Sequence, residues 1–407
     1  MWSLALACLL TSCDDQRTVP VSMTVTDSAG VQIARISADP ETLDEWTLAA
    51  TPHVVLTGSE TGDSTAFSPV GEVRWLASGE IIISDIGAKR LLVYDSTGKF
   101  QRSLGRTGDG PGEFRRLGAL SAVGGDTVAA FDGTHRRLSY WAAKTGYIRS
   151  VSVSEGASLD EWPADAWAWG DSMVVVLQLA TTSQESLPTG TKYRKWPMRA
   201  HLTLRDRAGL VVASAPAFDG MYTGLYAKGD MRVAFSNNPF AAIGRDRVYF
   251  GSGQDFSLFN LSARFDSARE IRWSALQEPV SPAEVSALRA ERAAQVGTQL
   301  PPERLQRMLD MEFTPELMPP TRPAIGRVLV DADERVWVER FEPARLGTAT
   351  QQPGRVWHVL ASDGRPIARF TLPARTRLEA IRGRHAMVMQ RDTVDVETVA
   401  WYAVVTP

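Results

Sequence analysis

The stretch GEIIISDIGAKRLLVYDSTGKFQRSLGRTGDGPGEF, residues 79–114, carries the clearest architectural signal in the chain. Its apolar residues recur at two-residue spacing within short runs, Ile81 and Ile83 and then Leu92 and Tyr94. That is the period of a strand, whose alternate side chains reach opposite faces. Asp95-Ser96-Thr97-Gly98 supplies turn chemistry between runs. The stretch closes on GRTGDGPGEF, residues 105–114, with four glycines and one proline. A phosphate-binding loop needs Gly-x-x-x-x-Gly-Lys-Ser/Thr between a strand and a helix. Here no lysine follows, and the next segment is another strand pair rather than an apolar helix. The glycines therefore read as a joint, supplying positive φ where the chain swings back from an outer strand to a central axis. Phe114 is expected to wedge between the units on either side.

VGEVRWLASG precedes this stretch, with Val73 and Trp75 in strand period. LGALSAVGG, DTVAAFDGTHRR and LSYWAAKTGYIRSVSV follow it with the same plan. Asp132 lies 47 residues after Asp85, and Gly146 lies 48 after Gly98. That period suits one blade of a β-propeller. Four more segments fit with declining regularity, at 159–218, 234–275, 323–373 and 375–405. The count is six blades, the last one short, and the fold class is all-β. The strand-like WTLAATPHVVLTG, residues 46–58, has no partner nearby and is expected to complete the sixth blade, closing the ring. SMTVTDSAGVQIARIS reads as a hairpin turning at Asp27–Gly30. Residues 46–407 are thus assigned to the propeller.

Residues 79–114 resemble a full NHL repeat, with Gly79, Asp85, Arg90, Asp95, Gly98, Phe100, Gly105, Gly108, Gly112 and Phe114 at its characteristic positions. The whole chain is similar to bacterial lipoproteins described as six-bladed β-propellers, and the resemblance implies a fold and a location rather than a chemistry.

One segment breaks the pattern. SPAEVSALRAERAAQVG carries Ser281 as N-cap, Pro282 at N1 and Glu284 at N3, a capping box. A second helix, PPERLQRMLDMEF, ends before the prolines of ELMPPTRP. This helical insertion, about residues 280–320, falls between blades four and five and is too small to bury a core alone.

Apolar residues make up 44% of the chain and charged residues 22%, which excludes wholesale disorder. The net charge of −3 gives no bulk attraction to nucleic acid, which is not expected as a partner. Both cysteines lie near the start, in MWSLALACLLTSC. This run is short of the roughly 20 apolar residues a membrane span needs. It reads as a secretion signal over residues 1–12. Leu10-Thr11-Ser12-Cys13 resembles a lipobox, which implies lipidation of Cys13 and a membrane anchor in the cell envelope. Residues 13–45 are then a lipidated linker and hairpin. With both cysteines so spent, the exported domain has no disulfide and must rely on its apolar core.

Candidate ligand contacts gather in blade three. DEWPADAWAW (160–169) and TTSQESLPTGTKYRKWPM (181–198) bring together Trp162, Trp167, Trp169, Tyr193 and Trp196. Aromatics on loops supply contact area for a peptide, protein or glycan; they equally suit the core of a sheet. Asn237 and Asn238 precede an innermost strand and either face the channel or form the turn before Pro239. His385 is placed near an innermost strand, flanked by Arg382 and Arg384. Asp85 and Asp132 recur with the repeat and are expected to bond turn amides. No carboxylates are found at matching positions in different blades, no histidine pair has zinc spacing, and no Gly-x-Ser-x-Gly elbow is present. The functional expectation is therefore a ligand-binding or protein-interaction scaffold without a cofactor. The alternative, a metal-dependent hydrolase or lyase with Ca²⁺ in the central channel, would require carboxylates converging there.

Overall fold

A computed structural model describes residues 23–56, 67, 69–154, 160–180, 191–226, 229–297, 299–342 and 354–407. The signal run, Cys13 and residues 181–190 lie outside that set. The fold is a six-bladed β-propeller. Blade one is Val70–Trp75, Ile81–Asp85, Arg90–Tyr94 and Phe100–Leu104, each strand antiparallel to the next. Blade two runs in the same order from Leu117–Gly124 to Gly146–Ser152. The innermost strands of the other blades are Glu161–Trp169, Phe240–Ile243, Ile325–Val330 and Thr376–Arg382.

Among the described residues, six apolar clusters each join two neighbouring blades around the ring. Every blade buries both faces of its sheet, which is why second strands such as Ile81–Asp85 are apolar at successive positions. Asp85 and Asp132 close the second strands of their blades as expected. Asp85 accepts from the Ala88 amide and Arg90, and Asp132 from the amides of Thr134, His135, Arg115 and Arg116.

The stretch 105–114 is a joint. Gly105 has φ +77°, and a Cβ there would meet the Phe114 ring at 2.5 Å. The loop's polar groups are turned inward, Phe114 N–H bonding Arg106 O at 2.8 Å and Gly110 N–H bonding Glu113 at 2.9 Å. Phe114 is fully buried between blades one and two, stacked on Trp141 with ring centres 5.5 Å apart.

The N-terminal segment divides its strands among three blades, a correction to the expectation for 46–58. Val54–Leu56 does complete blade six, antiparallel to Glu397–Val405. Asp44–Leu48, however, adds to blade five, parallel to Pro366–Leu372, and only its end touches blade six. The hairpin Met23–Ser28 and Val31–Ile36 adds to the outer strand of blade four. An outer strand leaves a row of unpaired backbone groups, and the incoming chain satisfies three such rows in turn.

The insertion forms helix α1, Pro282–Val296, and helix α2, Pro302–Glu312. The capping box is complete: Ser281 Oγ accepts from Glu284 N–H, and the Glu284 carboxylate accepts from Ser281 N–H at 2.9 Å. Leu309 and Phe313 are buried against Ala234 and Phe235, the lead-in to blade four. Blade three carries an arm that pattern reading did not foresee. Its third strand, Tyr193–Arg205, overshoots the blade, and the overhang pairs with Phe218–Tyr226, which pairs with Gly229–Arg232. Tyr226 Oη donates to Met311 O at 2.6 Å, and Ala234 N–H to Glu312 O at 2.9 Å, so arm and helices are docked together.

Candidate functional site: the axial channel

The six innermost strands all begin at one face of the ring, and four antiparallel strands per blade return the chain to it. The helical insertion, entering between the last strand of blade four and the first of blade five, belongs to that face, as does the blade-three arm. The channel between the strands encloses about 1160 Å³, and Met221 of the arm contributes to its wall.

Five of the six innermost strands shift register near their start. The shifts fall between Val70 and Val73, Leu117 and Leu120, Pro163 and Asp165, Ile325 and Arg327, and Leu378 and Ala380. Such bulges insert an extra residue and re-aim side chains. Four lining residues within these shifts are charged: Glu72, Asp165, Arg327 and Glu379. Glycine precedes Glu72 and Arg327, and alanine precedes Asp165. Space demands it at Gly71, where a Cβ would meet Ser84 Oγ at 2.3 Å. This corrects the expectation that no carboxylates match between blades. The signal was present as V-G-E, P-A-D and I-G-R at the starts of inner strands, but a bulge has to be known before those positions can be aligned.

The three carboxylates are held differently. Glu379 is fully buried and bridged by Arg377 and by Arg327 at 3.2 Å. Glu72 bonds Arg74 at 2.7 Å and Leu120 N–H at 2.9 Å. Asp165 Oδ1 accepts from the amides of Ala119 at 3.0 Å and Ala166 at 3.1 Å. Among the described residues no guanidinium or ammonium bonds Asp165, and its Oδ2 accepts nothing. Burial first, and then the Glu72 charge, push its carboxyl up to about 7, against the weaker opposing effect of the two amides and Arg116. Burial would also weaken the charge on Arg327, but Glu379, Glu72 and Glu339 outweigh it and raise its pKa.

A prediction follows for pH. Folded Asp165 keeps its proton to about 7, whereas the unfolded group loses it near 3.8. Between those values the native state holds the extra proton, so stability falls as pH rises and levels off above 7. Asp165→Asn should therefore match wild type near pH 4 and exceed it at pH 8 by on the order of 2 kcal/mol, less than the full shift because channel water reaches the group. Urea midpoints at the two pH values provide the check, and equal gains at both would remove the proton from the explanation.

The residues singled out from sequence are dispersed. Trp162, Trp167, Trp169 and Asn238 line the channel, with Trp167 and Trp169 mostly buried between blades three and four. Trp169 Nε1 donates to Arg245 O at 2.9 Å at the far end. Asn237 donates to Ile325 O, pinning blade four to blade five. Tyr193 sits on the arm beside Tyr226, 6.1 Å between ring centres. Trp196 pairs through its backbone with Thr223, and its side chain lies outside the described set. His385 opens the second strand of blade six, exposed beside His53, and does not line the channel. Among the described residues no three of His, Cys, Asp and Glu gather in a group able to hold a metal ion, and no helix is long and apolar enough to cross a membrane.

The profile of a family described as 6-bladed beta-propeller matches residues 58–149. No curated protein matches the chain. Among solved structures, a member of the DUF4221 family from Bacteroides vulgatus superposes with a TM-score of 0.55 at 10% identity, covering 90% of this chain and 99% of that one. The calcium-binding protein regucalcin from Agrobacterium tumefaciens gives a TM-score of 0.41 at 11% identity, covering 89% and 96%. A gluconolactonase from Xanthomonas campestris gives 0.40 at 11% identity, covering 90% and 98%. The first likeness establishes a shared fold, and a fold alone does not carry a ligand or a reaction.

Proposed function

We propose that this chain is a propeller of the cell envelope, anchored through lipidated Cys13, that binds a small polar ligand in its axial channel. The apolar opening run and the Leu10–Cys13 string support the location. The observation that carries the binding reading is the channel itself: about 1160 Å³ of space lined by a layer of charged side chains set on bulges. Concave sites with a few placed polar groups are the usual form of a small-molecule site. Arm and helical insertion stand at the rim, where they govern access.

The layer favours binding over metal chemistry. Calcium takes six to eight oxygen ligands, whereas Glu379 and Glu72 are committed to arginines and amides. Thermal melts with EDTA and with added Ca²⁺ or Zn²⁺ test this, and the expected result is no shift. An upward shift of several degrees with one metal would replace the binding module by a metal-dependent hydrolase or lyase. The anchor is tested by fractionation: Cys13→Ser should move the protein from membranes to the soluble envelope fraction, and unchanged partition would remove the lipid.

A further inference from the structure

We infer that the channel takes a short zwitterion of the amino-acid or dipeptide class, its ammonium group seated on Asp165 and its carboxylate on Arg116 and Arg136 at the rim. The inference rests on the ligand-binding reading above and names the ligand class for that site. The three carboxylates differ in their partners. Glu379 and Glu72 each have guanidinium partners within the protein. Among the described residues Asp165 has only two amides, both on Oδ1, which orient the carboxyl and leave Oδ2 unbonded in a residue that lines the cavity. A carboxylate drawn from water without a counter-charge is costly, and the cost is removed by a cation that hydrogen-bonds to it.

The opposite charge waits at the mouth. Arg116 immediately precedes the innermost strand of blade two, and Arg136 immediately precedes its third strand, so both stand at the face where inner strands begin. Both line the cavity and are exposed, and neither guanidinium has a carboxylate partner among the described residues. An anion is their natural complement. One molecule with separated charges satisfies the half-buried acid and the rim together, which neither a simple amine nor a simple anion does.

The charged groups that act on Asp165 are Glu72 from blade one and Arg116 from the lead-in to blade two, with Arg327 and Glu379 in the same layer. Burial and Glu72 favour positive charge at Asp165. Below about pH 7 the unliganded group carries that charge as a proton, and an arriving ammonium group displaces it. Binding near neutral pH therefore releases a proton to solvent.

The test is calorimetric titration of the purified soluble domain with glycylglycine, N-acetylglycylglycine and glycylglycinamide, in two buffers of different ionisation enthalpy. Glycylglycine is expected to bind with proton release, and acetylation to weaken it at least tenfold. Asp165→Asn, which keeps the oxygen that the two amides require, should weaken glycylglycine at least tenfold while its circular dichroism stays native. Arg116→Gln with Arg136→Gln should weaken glycylglycine several-fold and leave glycylglycinamide unchanged. Glycylglycine that gives no saturable heat, or that binds Asp165→Asn as tightly as wild type, overturns the assignment. Equal binding of the acetylated peptide to both proteins would overturn the ammonium seat while leaving the channel a ligand site. The metal melts read that broader role separately.

Discussion

Glu379→Leu should destabilise the protein by about 3–5 kcal/mol, the range seen when one partner of a buried ion pair is removed. Glu379 is fully buried, and its carboxylate gathers Arg377 from its own strand and Arg327 from blade five. Those arginines reach further. Arg327 donates to Leu378 O at 2.6 Å, and Arg377 to the carbonyls of Val70 and Gly71 in blade one. One carboxylate thus organises the junction of blades five, six and one. Without it Arg327, largely shielded from water, keeps its charge and loses the carboxylate bonded to it. The double variant Arg327→Met with Glu379→Leu should recover most of the loss, because an apolar pair of similar volume often replaces a buried ion pair without penalty. Arg377, about one-third exposed, can turn to water. Urea unfolding of the single and double variants measures both effects. A single-variant cost below about 1 kcal/mol would put Glu379 among ordinary surface pairs.

Phe114→Ala should cost about 3–5 kcal/mol, as for large aromatic truncations in a core. The ring fills the seam between blades one and two, touching the cluster that runs from Leu91 and Leu104 to Leu117 and Trp141. Its neighbours belong to two sheets whose backbones are fixed by their own ladders, so they cannot collapse into the space. The cavity remains, and its cost adds to the lost transfer free energy. Urea unfolding again gives the magnitude, and the near-ultraviolet circular dichroism of the stacked Trp141 should weaken in the folded variant. A loss under 1 kcal/mol would mean that the glycine joint, rather than its aromatic wedge, sets the spacing of the blades.

The plan of the ring was legible in the sequence because it is written locally. Strand alternation around Ile81 and Leu92, the turn at Asp95–Gly98 and the recurrence of Asp85 at Asp132 each need only a few consecutive residues. The capping box at Ser281 and Glu284 is equally local. Blade three was legible only in part: its aromatic residues stood out, but the arm made by Tyr193–Arg205 depends on a pairing with Phe218–Tyr226 that composition does not announce. The candidate site was least legible. Trp162 and Asn238 were drawn out by residue type, whereas Glu72, Asp165, Arg327 and Glu379 passed as ordinary charges on strands.

Periodicity and turn chemistry act over a few residues, so the blades, their number, the helical insertion and the glycine joint could be read from residue order alone. Tertiary structure decided how the incoming chain is shared among blades four, five and six, since three outer edges compete for it and only the closed ring sets which lies within reach. It also decided the channel's charge layer, because a bulge that turns Asp165 or Glu379 toward the axis is defined against a neighbouring strand. The partners that neutralise Glu379, and leave Asp165 without a cation among the described residues, come in part from blades far away in the chain.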